Sequence, residues 1–437
     1  MRAALLLTGD ALPFQALENA VKPEDRGHNA PSSATGPQNT AADRAAPAAV
    51  SMHKGAHSGP ASQYSQRPGL APGAAHSGHG TAHHSHGADG PVYGALDLGT
   101  NNCRLLLARP SRRGFRVVDA FSRIIRLGEG VSQTGALSEL AMSRTLDALK
   151  VCAGKLDRHG VNRARMVATQ ACRVAGDGPD FIGRVRDHTG LDLEILTPET
   201  EARLAVSGCS TLVDPAVDYV LVFDIGGGSS EIIWLDLTQA GARRGTASHR
   251  IDADAAIVAW TSLPVGVVTL AETFDGRNVT PGSFEAMVAS VQAMLAPFEA
   301  AHKFRDRLQN RPVHLLGTSG TVTTIAGILL GLPRYDRNQV DGIWLRVPEI
   351  EEITARLLGQ SYDQRIAEPC IGRERADLVL AGCAILEAIL RLWPAERLRV
   401  ADRGLREGIL TTLMMEDGVW RAGRRRRRGG RNQGRSG

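Results

Sequence analysis

An α/β fold with two domains is predicted for the body of this chain, and three observations predict it. Short β-branched and apolar runs alternate with longer segments of helical spacing from Val92 to Met415. A strand–Asp–apolar–Gly–polar turn–strand pattern occurs twice, at Ala95–Asn102 and at Val222–Ser230; its two Asp lie 127 residues apart, which suggests a duplicated unit. About 330 residues lie between two ends of unusual composition, and 43% of the chain is hydrophobic, enough for two cores rather than one.

Taken in order, the spacing predicts strands at Tyr93–Leu98, Arg104–Arg109 and Phe115–Phe121. The polar turn Gly99-Thr100-Asn101-Asn102 and the breaker-rich stretch Pro110–Gly114 join them. A helix follows from about Ser138, with apolar positions Leu140, Ala141, Leu146, Leu149 and Val151. Strand Arg165–Thr169, helix Gly178–Thr189, strand Leu193–Leu196 and a helix opening at Pro198 complete the first unit. The second repeats the opening: strand Tyr219–Ile225, the turn Gly226-Gly227-Gly228-Ser229-Ser230, then strand Glu231–Leu235. Helices are expected at Pro281–Phe304, Val322–Leu330, Pro348–Leu358, Arg375–Leu390 and Arg403–Met415, with a strand at Val313–Leu316.

Charge is unevenly distributed. The whole chain is +5, with 51 Lys and Arg against 46 Asp and Glu. The first 90 residues cancel, six against six, and the tail from Arg421 carries eight Arg and no acid. The body, Pro91–Trp420, is therefore 37 basic against 40 acidic side chains, or −3. A broad basic face for nucleic acid is disfavoured there, although a local patch is not. The run Arg424–Arg428 reads as a flexible tail with non-specific affinity for polyanions or RNA.

Residues 1–91 are expected to be a disordered extension, since from residue 22 on they are rich in Ala, Pro, Gly, Ser and His and nearly free of large apolar side chains. Eight of the thirteen His lie between His28 and His86; a solvated low-complexity segment is favoured there over metal capture. No apolar run reaches the roughly 20 residues of a membrane span, and Met1–Leu7 is too short for a signal peptide. Six scattered Cys without a CxxC pair argue against a disulfide framework or zinc site. The expectation is a cytoplasmic protein.

The two repeated turns carry the chemistry. Glycine permits positive φ and close backbone approach, so successive N–H groups can converge on an anion. Thr100, Asn101, Asn102, Ser229 and Ser230 can add side-chain donors, with Gly99, Gly226, Gly227 and Gly228 supplying backbone. Asp97 and Asp224 end the preceding strands and are placed to hold Mg²⁺, the usual offset to phosphate charge. Two ordinary hairpins would explain one copy; two copies, each with its Asp, weigh against that. No Ser-His-Asp or dinucleotide arrangement stands out.

With these turns the sequence resembles the exopolyphosphatase/guanosine pentaphosphate phosphohydrolase (Ppx/GppA) family, of the ribonuclease H-like actin, sugar-kinase and heat-shock-ATPase superfold. The resemblance runs from about Val92 to Met415. It includes Ala168-Thr169-Gln170-Ala171-Cys172-Arg173-Val174-Ala175, Glu201-Ala202-Arg203-Leu204 and Leu263-Pro264-Val265-Gly266. Gly317-Thr318-Ser319-Gly320-Thr321, Arg375-Ala376-Asp377 and Asp402-Arg403-Gly404-Leu405-Arg406-Glu407-Gly408 complete it. Each motif is weak alone; all of them in this order are specific.

The resemblance implies two actin-like domains, 92–205 and 206–402, with a substrate cleft between them and helix 403–416 returning to the first. It implies Glu201 as catalytic base, although the bare sequence shows only one acid among several on a helix. It implies Arg173 against a substrate phosphate, and Glu231 joining Asp97 and Asp224 at Mg²⁺. Gly317, Ser319, Gly320 and Thr321 would form a further turn facing phosphate or nucleoside. Two departures stand out: Thr200 replaces a second Glu common in the family, and Cys103 replaces a Ser, which would remove one hydroxyl donor. Longer members carry an additional C-terminal helical domain; with about 20 residues after Met415, a short form is expected. The implied activity is hydrolysis of the terminal phosphoanhydride of inorganic polyphosphate, of guanosine pentaphosphate, or of both. A homodimer is compatible with this reading. A kinase or ATPase of the same superfold and an RNA-associated protein are the alternatives.

Overall fold

The structure, a computed structural model, describes residues 90–420 apart from Arg113, Pro215, 240–242, 245–249, Asn310 and Pro312. The His-rich extension and the Arg-rich tail lie outside the described residues.

Among the described residues, two large sheets repeat one topology. In the first, Gly114–Ile124, Asn102–Ser111 and Tyr93–Leu98 are antiparallel neighbours, and Arg163–Ala168 and Glu194–Ile195 extend the sheet in parallel. In the second, Ile257–Leu263, Ser230–Asp236 and Tyr219–Ile225 are antiparallel, with Val313–Ser319 and Arg397–Ala401 added in parallel. Trp344–Arg346 closes the far edge of the second sheet. The repeat sets the hairpins in equivalent register. Asp97 pairs with Arg104 across the first hairpin, and Asp224 with Glu231 across the second.

Burial explains the strand sequences. Val220, Leu221, Val222 and Phe223 are all fully buried, because helices cover both faces of the second sheet. A strand covered on both sides is continuously apolar instead of alternating. One face packs on Pro281–His302 and Val379–Leu392. The opposite face meets Ala202, Val206 and Cys209 of helix Pro198–Cys209. The first sheet packs one face on helices Glu139–Arg158 and Gly178–Thr189. Its other face (Tyr93, Ala95, Leu106, Val167) is covered by Leu405, Ile409, Leu410 and Leu413 of the last helix, Leu405–Glu416, together with Leu204. Helix Pro198–Cys209 thus serves both sheets.

Helix limits follow local chemistry. Ser138 accepts from the Ala141 N–H, Gly190 ends its helix at φ 70°, and Thr280 and Ser283 form a reciprocal capping box. Some limits differ from the sequence expectation. The helix expected from Val322 begins at Gly320, because Ser319 caps it. The one expected from Arg375 begins at Val379, leaving Arg375 in a turn. The strands Ile257–Leu263, Arg397–Ala401 and Trp344–Arg346 were not evident: arginines interrupt the second, and the third has only three residues.

Candidate active site

A cavity of 160 Å³ lies between the two hairpin turns. Its wall contains Asp97, Gly99, Thr100, Asn101 and Asn102 from the first turn, and Asp224, Gly226, Gly227, Ser229 and Glu231 from the second. Glu201 and the later turn Ser319, Gly320 and Thr321 join them. The turns touch closely enough to require glycine. A Cβ on Gly228 would lie 2.8 Å from Thr100 Oγ1, and one on Gly227 would lie 3.1 Å from the Asn101 nitrogen.

Glu201 sits in the first turn of its helix, where Thr197 caps the end and Pro198 occupies the first position. Its side chain is 12% exposed. Burial, followed by the charges of Glu231 and Asp97, pushes its carboxyl up to about 8, against the opposing pull of Arg173. Burial and Glu201 push Asp224 up to about 7; burial and Asp224 push Glu231 up to about 7. Asp97 is raised too, chiefly by burial. Four carboxylates therefore share one partly closed site at a cost that a cation would relieve.

The donors available are all oxygen. Asn101 Oδ1 and Asn102 Oδ1 are buried without a partner, and the Asp97 and Asp224 carboxylates face the same cavity. That set suits a hard divalent cation such as Mg²⁺, which takes one or two carboxylates and completes its shell with water and substrate oxygens. Glu231, expected beside Asp97 and Asp224, lines the same cavity. Among the described residues no three His, Cys, Asp or Glu converge to hold a metal. Glu231 is instead tied down, accepting from Ser229 Oγ at 2.8 Å and Ser262 Oγ at 2.9 Å.

Other expected roles also change. Arg173 does not line the cavity. Its guanidinium donates to Glu201 Oε2 at 3.1 Å, to the Leu196 carbonyl at 2.8 Å and to Gln170 Oε1, so most of its donors are committed to holding the base. Ser230 turns its hydroxyl into the core, donating to the Val265 carbonyl at 2.7 Å. Gly228 and Gly317 are also absent from the cavity wall; a Cβ on Gly317 would lie 2.8 Å from the Phe223 ring, so that residue serves packing. Cys103 is fully buried with Sγ 3.9 Å from Cys152 Sγ, so its replacement of a Ser removes no donor from the cavity. Thr200 completes the helix cap with Thr197.

Two arginines were missed. Arg104 and Arg375 line the cavity, and their guanidiniums make no hydrogen bond or ion pair among the described residues. Arg104 had a usable signal. Seven residues after Asp97, it occupies the place that Glu231 holds seven residues after Asp224, so superposing the repeats would have found it.

Two like sheets meeting at paired glycine turns, with buried carboxylates and unpaired arginines around them, define an actin-like enzyme that handles phosphoryl groups. The chain belongs to the Ppx/GppA phosphatase family, whose model matches residues 107–417. It is 29% identical over 334 residues to exopolyphosphatase 2 of Mycobacterium tuberculosis, covering 73% of this chain and 97% of the relative. Among solved structures it is similar to an exopolyphosphatase from Cytophaga hutchinsonii, at 26% identity and TM-score 0.64, over 75% of this chain and 98% of the other. The Aquifex aeolicus member of the Ppx/GppA family matches at 27% identity and TM-score 0.60, over 75% and 98%. These matches bear out the α/β actin-like expectation.

Proposed function

We propose that this chain is a Mg²⁺-dependent exopolyphosphatase that cleaves the terminal phosphoanhydride of inorganic polyphosphate and releases orthophosphate. The carrying observation is the placement of Glu201, a buried carboxylate oriented by Arg173, on the cavity walled by both glycine turns.

Each part has a chemical task. Turns without side chains let phosphoryl oxygens approach backbone amides, and Thr100, Asn101 and Asn102 add donors. The unpaired guanidiniums of Arg104 and Arg375 offset substrate charge, as bidentate donors do for phosphate. Glu201 is the catalytic residue: it orients a water and accepts its proton as the water oxygen bonds to the terminal phosphorus and the bridging oxygen departs with its electron pair. Arg173 is a positioning residue for Glu201. Mg²⁺ held by Asp97 and Asp224 would supply neutralisation of charge developing on the phosphoryl oxygens.

Phosphate release from polyphosphate, guanosine pentaphosphate and ATP, measured side by side with and without Mg²⁺, tests the reading. Polyphosphate should be turned over, and only with the cation. Release from ATP alone would sink the proposal in favour of an ATPase, and guanosine pentaphosphate as the better substrate would redirect it to that nucleotide. Truncation after Trp420 separates any RNA contact: lost RNA retention with unchanged hydrolysis makes the tail accessory.

A further inference from the structure

A second chamber of 390 Å³ continues from the candidate active site, past Asp97, Asp224 and the Ser319-Gly320 turn. Its own lining includes Tyr335, Arg337, Arg403, Arg406, Asp402 and Glu407, and Arg104 and Arg375 reach it from the shared wall. Glu201 and the glycine turns do not line it.

Most of its charges already have partners. Arg337 meets Glu407 at 2.7 Å, Arg403 pairs with Asp341, and Tyr335 donates to Asp402 at 2.6 Å. Glu407 also accepts from the Gly404 N–H and stays ionised, its carboxyl held low despite burial by Arg406 and Arg337. Arg406 is the exception. It is half-buried, its guanidinium makes no hydrogen bond or ion pair among the described residues, and it lines only this chamber. A half-buried guanidinium without hydrogen-bond partners leaves its donors unsatisfied, and an oxyanion would satisfy them.

We infer that this chamber binds orthophosphate, the product of the proposed reaction, through Arg406 with Arg104 and Arg375 at its mouth. The inference rests on the exopolyphosphatase reading for the origin of that phosphate. The mixed wall decides between a single ion and a chain. A polyphosphate carries charge on every unit and would face Asp402 and Glu407 along this path beyond the acids shared with the first cavity, whereas one small oxyanion needs only the spare guanidiniums. The product would thus move away from the base, leaving the cavity at the glycine turns free for the next terminal unit.

Calorimetric titration of the full chain with inorganic phosphate tests this independently of turnover. Phosphate should bind in the presence of saturating tripolyphosphate without divalent cation. Its Kd should rise about tenfold or more in Arg406→Gln, from loss of a charge-assisted partner, be partly restored in Arg406→Lys, and stay unchanged in Glu201→Gln. Phosphate fully displaced by tripolyphosphate, absence of binding, or sensitivity to Glu201→Gln instead of Arg406→Gln would overturn the assignment. The competition arm uses unaltered protein and so stands even where Arg406→Gln does not fold. Failure to hydrolyse polyphosphate would sink the functional reading while leaving a positive phosphate titration intact.

Discussion

One nitrogen of Arg173, Nη1, donates both to the Glu201 carboxylate at 3.1 Å and to the Leu196 carbonyl at 2.8 Å. The base is thereby fixed to the strand end that precedes its own helix. A guanidinium held in place this way acts through Glu201, and its loss should be felt as misplacement of the base.

Replacing Glu201 by Gln keeps the shape and removes the base. Turnover of polyphosphate should fall by about 10²–10⁴-fold, the usual range for a lost general base, while polyphosphate binding survives. Wild-type turnover in a folded Glu201→Gln protein would disprove the assignment.

Arg173→Met should leave a different signature. Arg173 favours the ionised carboxylate, so without it Glu201 rises further above about 8. The base works when deprotonated, and the acidic limb of the kcat/KM–pH profile should therefore move to higher pH. Arg173→Lys should move it back part of the way. An unmoved limb with lower kcat would mean that Arg173 supports only the fold.

The raised carboxylates also link pH to stability. Above the ordinary carboxylate range the unfolded chain has lost these protons, while the folded protein still holds some up to about 7 at Asp224 and Glu231 and about 8 at Glu201. The folded state then binds more protons, and this cluster's contribution to stability falls as pH rises through that window. Mg²⁺ should offset the loss. The rise in Tm on adding it should be larger at pH 8 than at pH 5.5 and should shrink in Asp97→Asn. Equal increments at both pH values would count against a cation at these acids.

Helices Pro198–Cys209 and Leu405–Glu416 cross with almost no space between them. A Cβ on Gly408 would lie 2.0 Å from the Leu204 carbonyl oxygen, and one on Gly208 would lie 1.9 Å from that of Gly404. Backbone atoms cannot yield as a flexible side chain can. Gly408→Ala should cost about 1–3 kcal/mol in denaturant titration, the usual cost of overpacking, with some loss of activity because Glu201 rides on the displaced helix. An unchanged midpoint would show that the crossing is looser than it looks.

Much of this was legible in the amino-acid order. The fold class followed from alternating patterns, and the two turns, Asp97, Asp224 and Glu201 meet at one cavity. What escaped was set by partners remote in sequence. The Leu196 carbonyl draws Arg173 out of the cavity, the Val265 carbonyl takes the Ser230 hydroxyl, and Ser229 and Ser262 hold Glu231. No local spacing reveals which of several polar atoms captures a donor. The same holds for Arg375, read as helical but found in a turn on the cavity wall.

The covering of the first sheet by the last helix has a consequence for biosynthesis. Tyr93, Ala95, Leu106 and Val167 emerge from the ribosome some 240 residues or more before Leu405, Ile409 and Leu413, which bury them. Throughout that interval a strip of apolar sheet is exposed to other nascent chains. Long-range closure of this kind is slow and prone to aggregation. The nascent first unit is therefore a natural client for chaperones, and its release from them should coincide with synthesis of the final helix.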